Sequence, residues 1–222
     1  SYLEKRIMRI PVQHILGVQC FCGLEFMVSS DVLCPRLDTE VLIEEALKHI
    51  CPGSSILDMC TGSGCIILTL LHFAKNCTGT AADLSEKALA IARQNAKKLE
   101  KECTFIHSDL FENIDGKYDV IISNPPYIAT KEIEALEPEV RIHEPMMALD
   151  GKEDGLFFYR KIVSESVNYL NPEGWLMFEI GYDQGEAVSE MMKMSGYTDV
   201  RVVKDLAGLD RVVIGKLAQE ER

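Results

Sequence analysis

The chain has 222 residues, 47% of them hydrophobic and 26% charged, the proportions of an ordinary globular domain, which excludes disordered, fibrous and disulfide-stapled miniprotein classes. A formal net charge of −12 argues against a broad phosphate-neutralising surface and so against long DNA or RNA as a partner. No apolar run reaches the roughly 18 to 20 residues that cross a bilayer, and Ser1-Tyr2-Leu3-Glu4-Lys5-Arg6 lacks the apolar stretch of a signal peptide; a cytoplasmic protein without membrane contact is expected. The eight cysteines contain no C-x-x-C and none follows Cys103, so reduced thiols are expected rather than a zinc ribbon or a disulfide framework.

In chain order, residues 19–28 carry short extended segments around Cys22-Gly23 and read as a small β-hairpin, too small to fold alone. Residues 1–35 are taken as the end of an N-terminal region with its linking hairpin, and 36–222 as the main domain. From residue 54 onward short apolar runs alternate with longer amphipathic ones. Strands are predicted at 54–60, 78–84, 103–109, 118–124, 174–180, 199–205 and 211–217, with helices at 39–50, 64–75, 85–101, 154–170 and 183–195. Ser85 reads as an N-cap ahead of apolar Ala88, Leu89, Ala92 and Ala96. Only the last two strands lack an intervening helix, so they form a hairpin whose last strand runs antiparallel at or near the sheet edge. The pattern is an α/β doubly wound, seven-stranded Rossmann-like sheet preceded by a small β-hairpin. Residues 129–151, with two prolines and weak periodicity, are expected to be a long functional loop.

The first strand of the sheet ends in Asp58-Met-Cys-Thr-Gly-Ser-Gly64 and passes into a helix. Gly62 and Gly64 allow backbone angles closed to other residues, and the helix start offers free N–H groups, so the loop can cradle a nucleotide-type ligand. Asp83 closes the second strand, where a doubly wound fold places an acid against a ribose diol. A lone glycine pair can serve a tight turn only, and a dinucleotide G-x-G-x-x-G is absent.

Asn124-Pro-Pro-Tyr127 follows the fourth strand of the sheet. Two prolines fix the backbone and remove two donors, leaving carbonyl oxygens beside the Asn124 amide. Such a site accepts hydrogen bonds from a planar NH2 group, one to the Asn124 oxygen and one to the Pro125 carbonyl, with the Tyr127 ring packed on its face. The bland alternative is a Pro-Pro turn. His14, His49, His72, His107 and His143 show no ligand spacing, so no metal is expected. Arg36 reads either as a surface ion pair or as a binder of a carboxylate or substrate backbone, and Glu179 either faces the ligand or caps a loop.

The D-x-x-T-G-S-G and N-P-P-Y pair resembles the class I S-adenosylmethionine-dependent methyltransferases that act on planar amino groups. With Leu33-Cys-Pro-Arg-Leu-Asp-Thr-Glu40, Ala148-Leu-Asp-Gly-Lys-Glu-Asp-Gly155, Glu179-Ile-Gly-Tyr-Asp-Gln-Gly185 and Lys204-Asp-Leu-Ala-Gly-Leu-Asp-Arg211, the chain resembles the HemK/PrmC release-factor glutamine N5-methyltransferases through nearly its whole length. The resemblance implies that Cys60, Thr61, Gly62, Ser63 and Gly64 cradle the methionine part of S-adenosylmethionine, that Asp83 holds the ribose and that Leu110 lies by the adenine. It implies that Asn124, touching both cofactor and substrate, works with Pro125, Pro126 and Tyr127 to hold the glutamine, and that Asn124, Pro125 and Tyr127 are catalytic. The implied partner is a peptide-chain release factor modified at its Gly-Gly-Gln glutamine, with no metal, no direct nucleic acid and a monomeric enzyme. The other readings are an enzyme acting on an exocyclic amine of a nucleic-acid base or on another protein glutamine, a dehydrogenase, and a non-catalytic cofactor-binding protein. Three positions depart from the family pattern: Cys60 for the first loop glycine, Leu37 for a second proline and His14 for a tyrosine. The family carries a helical domain ahead of this point, and the expectation is a shortened chain that binds cofactor and methylates poorly.

Overall fold

In the computed structural model, which describes residues 1–218, the chain opens with two short helices, α1 (Tyr2–Ile7) and α2 (Val12–Leu16), then the hairpin β1 (Val18–Phe21) and β2 (Leu24–Met27). Helix α3 (Glu40–Leu47) leads into β3 (Ser55–Met59), α4 (Cys65–Phe73), β4 (Thr78–Asp83), α5 (Glu86–Lys98), β5 (Thr104–His107) and β6 (Tyr118–Ser123). After α6 (Pro138–His143) come α7 (Phe157–Ser166), β7 (Leu170–Glu179), α8 (Gly185–Met194), β8 (Tyr197–Lys204) and β9 (Asp210–Leu217). All seven sheet strands and five main helices expected from periodicity are present.

The strand order is β5-β4-β3-β6-β7-β9-β8. Strands β3 to β7 run parallel, and β9 pairs antiparallel with both β7 and β8, so the last strand inserts one place in from the edge and β8 forms the rim. Alternation along the parallel strands feeds two cores. Leu57, Ile121, Leu176 and Phe178 face Tyr159 and Ile162 of α7 and Val188 and Met192 of α8. Ile56, Val120 and Met177 face the other side, against α3, α4, Ala96 of α5 and the hairpin residues Phe21 and Phe26.

Three segments differ from their sequence reading. Residues 129–151 are not structureless: a 3-10 turn at Thr130–Ala135, α6 and a 3-10 turn at Met146–Ala148 follow one another. Each is six residues or fewer, too short for a period to register, and Pro138 presets the first turn of α6. The base of this segment is shut by a bridge between Ile128 and Asp150 and by the Thr130 hydroxyl, which donates to Asp150 Oδ1 at 2.6 Å. Helices α1 and α2 carry no buried residue and so no amphipathic signal. Strand β7 starts at Leu170 rather than 174, because the ladder skips a register step between Tyr118 and Val120 and the Asn171-Pro-Glu-Gly174 stretch bulges out.

Asn95 of α5, fully buried, ties the hairpin to the glycine loop. Its oxygen accepts the Met27 N–H at 2.6 Å, and its nitrogen donates to the Met27 carbonyl at 3.0 Å and the Ser63 carbonyl at 2.9 Å. Asn95→Ala leaves three backbone groups without their partner, each worth roughly 1 to 3 kcal/mol. The expected result is a loss of about 3 kcal/mol or more in urea unfolding at unchanged m-value; a loss below about 1 kcal/mol would show that the amide is not the tie.

Candidate active site

The C-terminal ends of β3, β4, β5 and β6 open into one cavity of about 400 Å³, at the place where a doubly wound sheet binds its ligand. Cys60, Thr61, Gly62, Ser63, Asp83, Leu110, Asn124 and Pro126 line it. Of the residues singled out in the sequence, Gly64, Pro125 and Tyr127 are not among those that line it.

The glycine loop is held by its own backbone. The Thr61 N–H donates to the Ala82 carbonyl at 3.0 Å and the Gly64 N–H to the Thr61 carbonyl at 2.9 Å. Gly64 has φ +79°, and a Cβ there would meet Ala92 Cβ at 3.1 Å and Leu68 Cδ1 at 3.2 Å, so this glycine lets α4 and α5 approach closely. Cys60 sits at φ +62°, a left-handed conformation costing a side-chain-bearing residue roughly 1 to 2 kcal/mol; glycine would adopt it freely. Burial, with the carboxylates of Asp83 and Asp58 nearby, pushes the Cys60 thiol well above its usual range, which makes it a packing group rather than a nucleophile.

Asp83 joins the two loops. One carboxylate oxygen accepts the Gly62 N–H at 2.8 Å and the other the Ser85 N–H at 2.8 Å. Burial pushes this acid up, and the two N–H donors pull against it. Ser85 caps α5 as its sequence position predicts, accepting the Ala88 N–H at 3.2 Å. Behind the loop, Asp58 is fully buried: it accepts the Thr61 hydroxyl at 2.6 Å on one oxygen and has no partner on the other among the described residues. Burial raises it to about 7. At the far wall Leu110 also adopts a positive φ, +47°, held by the Ser108 hydroxyl, which donates to the Leu110 carbonyl at 2.6 Å.

At the mouth, the Ser123 hydroxyl donates to the Met59 carbonyl at 2.6 Å and fixes the end of β6 against β3. Asn124 follows on the cavity wall, and Pro125 and Pro126 are buried. Among the described residues no group donates to the Pro125 carbonyl. Tyr127 packs against the core around Tyr159 and Phe178, and burial and the Glu179 carboxylate push its hydroxyl up to about 12. Its backbone is clamped from outside. Gln184 donates to the Tyr127 carbonyl at 3.0 Å, and a Cβ on Gly155 would lie 2.3 Å from that same oxygen. Gly151 is as tight, its Cβ position 2.8 Å from Tyr127 Cα.

Sequence reasoning left two residues unassigned that the fold brings in. Glu179 ends β7, 2% exposed, with Oε2 unpartnered among the described residues. Burial raises it to about 7 against the opposing pull of the Thr39 hydroxyl, the Arg211 guanidinium and the Asn124 amide. The signal for it was the late E-x-G-x-x-Q-G segment, which supplies both Glu179 and Gln184. Arg36 lines the cavity and pairs with the buried Glu144 at 2.6 Å.

The family described as Methyltransferase small domain matches residues 24–141. The release factor glutamine methyltransferase of Geobacter sulfurreducens is 46% identical over 216 residues, covering 97% of this chain and 76% of that protein. The protein of the same name from Caulobacter vibrioides is 44% identical over 222 residues, with 97% and 76% covered. The chain belongs to the release factor glutamine methyltransferase family. Its fold is shared with a Pyrococcus furiosus methyltransferase, at a TM-score of 0.68 and 18% identity over 98% of this chain and 99% of that one. It is shared also with the E. cuniculi Mtq2–Trm112 complex, described as methylating the eRF1 termination factor, at a TM-score of 0.59 and 19% identity over 85% of this chain and 99% of that one. Membership makes the chain a methyltransferase.

Asp58 and Glu179 give the family fold a pH signature. An acid whose folded value lies above its unfolded one holds its proton more tightly when folded, so its contribution is present below the unfolded value and lost as pH rises to the folded one. For Asp58 the window runs from its ordinary 3.8 to about 7, and for Glu179 from 4.5 to about 7. Asp58→Asn removes one of the two, and its urea stability is expected to fall less steeply between about pH 4 and pH 7 than that of the parent; an unchanged or steeper slope would contradict the burial of a protonated Asp58.

Proposed function

We propose that the chain transfers a methyl group from S-adenosylmethionine to the side-chain amide nitrogen, N5, of the Gly-Gly-Gln glutamine in a peptide-chain release factor. The observation that carries this reading is the position of Asn124-Pro-Pro-Tyr127 at the mouth of a cavity whose other end is the Asp83-braced glycine loop, in a chain 46% identical to a protein of that name. The cavity suits the cofactor: its volume falls within the range of small-molecule sites, and it joins an acid that can accept from ribose hydroxyls to a loop open to close backbone approach. In this assignment the segment from Cys60 to Gly64 holds the methionine part, Asp83 the ribose and Leu110 the adenine edge. In this reading residues 1–35 serve as the linking region and 36–222 as the methyltransferase domain, of which 219–222 lie outside the described residues.

S-adenosylmethionine supplies an electrophilic methyl group on a sulfonium. The rest falls to this chain's residues, because an amide nitrogen is a weak nucleophile whose lone pair is delocalised. Asn124 Oδ1 and the Pro125 carbonyl would each accept one N–H of the substrate NH2, which would orient the nitrogen for attack and remove the entropy of finding that geometry. A nitrogen taking up that methyl group would gain positive charge. The same two acceptors favour that charge. The product nitrogen is strongly acidic and releases its extra proton to solvent, so no dedicated base is required. Tyr127, clamped by Gln184, Gly151 and Gly155, keeps the Pro-Pro carbonyls in place.

A release factor is the protein partner in this reading, with the enzyme a monomer in the cytoplasm that takes neither metal nor nucleic acid into the chemistry. Among the described residues no helix is long and apolar enough to cross a membrane, and the net charge of −12 disfavours nucleic acid as substrate.

Mass spectrometry of a Gly-Gly-Gln release factor incubated with the chain and S-adenosylmethionine is expected to show one added methyl on that glutamine. Asn124→Ala is expected to lower the rate by about 10²-fold, the scale of losing one preorganised polar contact. An Asn124→Ala protein that keeps most of its rate, or a methyl on a different residue, would contradict the assignment.

A further inference from the structure

The first sixteen residues are fastened to α6, the helix in the middle of the segment that walls the cavity. Arg6 and Arg9 donate to the Glu139 carboxylate at 3.0 and 2.9 Å, Arg9 reaches Glu137 at 3.1 Å, and a ring nitrogen of His143 lies 3.0 Å from the Met8 carbonyl oxygen. Behind this charged seam three groups from distant parts of the chain converge: His14 of α2, Cys34 ahead of α3, and Glu144 at the end of α6. One ligand atom from each lies within 4.8 Å of the other two.

Two features separate this cluster from ordinary packing. Both ring nitrogens of His14 are shut off from solvent, and neither has a hydrogen-bond partner among the described residues. The His14 side chain is half-buried, and ring nitrogens shut off from water are ordinarily satisfied on at least one side, an orphaned one being costly. The carboxylate facing it is also already oriented. Glu144 Oε2 accepts from Arg36 at 2.6 Å, and Oε1 accepts the Cys34 N–H at 3.3 Å, an arrangement that fixes a carboxylate ligand through its outer oxygen.

We propose that His14, Cys34 and Glu144 form a three-ligand site for a zinc-class transition cation, which staples the N-terminal segment to the loop walling the cavity. The donor set of one sulfur, one imidazole nitrogen and one carboxylate oxygen suits zinc and its neighbours, whereas calcium and magnesium prefer oxygen alone. With metal–ligand bonds of about 2.0 to 2.3 Å in a tetrahedron, the three atoms draw in to about 3.5 Å apart, within the reach of side-chain rotation. A water takes the fourth position. On binding, the Cys34 thiol proton leaves to solvent, the metal–sulfur bond takes its place, and Arg36 stays on the second oxygen of Glu144. Pro35, Arg36 and Pro145, each within two residues of a ligand, line the cavity, so the metal would stiffen that part of its wall. The sequence reading expects no metal because the histidines show no ligand spacing and the cysteines form no C-x-x-C; only the fold brings these three residues together.

Cobalt(II) titration of the metal-stripped chain tests this independently of methyl transfer. The expected result is a thiolate-to-cobalt charge-transfer band that saturates at one equivalent, is displaced by zinc, disappears in Cys34→Ser and persists in Cys20→Ser and Cys51→Ser, whose cysteines are exposed. His14→Gln, a second variant should Cys34→Ser unfold, is expected to weaken zinc by more than the 10 to 100-fold that loss of an outer partner costs. Zinc is also expected to slow amide hydrogen exchange in residues 1–17 and 129–151. No thiolate band, a band undiminished in Cys34→Ser, or zinc affinity unchanged in His14→Gln would overturn the site.

Discussion

The Asp83 carboxylate takes the Gly62 N–H on one oxygen and the Ser85 N–H on the other, each at 2.8 Å, and the remaining wall of the cavity is arranged around that bridge. β3 and β4 lie side by side in parallel, so their exits leave the sheet at neighbouring points and each must turn at once into a helix. A single acid spanning both turns fixes the distance between them, and with it the width of the site. Its cost is burial of a carboxylate, offset by two backbone donors that favour the ionised form. Its lone pairs beyond those two bonds remain available to hydroxyl donors.

From that bridge the constraints pass outward in sequence. Thr61 donates across to the Ala82 carbonyl, Asn95 holds Ser63 and the hairpin, and Ser123 ties β6 to the end of β3. The Asn124-Pro-Pro-Tyr127 turn is then held by Gln184 and by the two glycines pressed against Tyr127. In this arrangement the late E-x-G-x-x-Q-G and A-L-D-G-K-E-D-G segments act on the Tyr127 backbone, many residues away in sequence, the first through the Gln184 side-chain amide and the second through close glycine packing.

Most of the sheet is legible in the sequence because parallel strands buried on both faces read as apolar runs and their helices as amphipathic ones. The edge hairpin follows from the short link at residues 206–210. The glycine loop and Asn124-Pro-Pro-Tyr127 are legible because their chemistry depends on residue type at fixed spacing, and both fall at strand ends as expected. What stays hidden depends on tertiary contact. The turns within 129–151 are too short to show a period, and helices α1 and α2 bury nothing. The pairing of Arg36 with Glu144 joins segments with no local relation. Tyr127 is legible as part of a motif, but the close packing of the glycines at 151 and 155 on its backbone is not. Cys60 shows the reverse case. The sequence marks it as a departure, and the structure gives the reason a glycine would suit that place: a left-handed backbone.

Asp83 braces the two loops, and in the proposed function the same carboxylate receives the ribose of the cofactor. Calorimetry of S-adenosylhomocysteine and its 2′-deoxy analogue against the parent chain and Asp83→Ala tests it most directly. Loss of hydrogen bonds to a charged acceptor, about 1.5 to 3 kcal/mol each, is expected to weaken the intact ligand by about 10²-fold in the variant, and the parent's preference for it over the deoxy analogue should vanish. A folded Asp83→Ala protein that binds both ligands as the parent does, or keeps the parent's preference, would contradict the account.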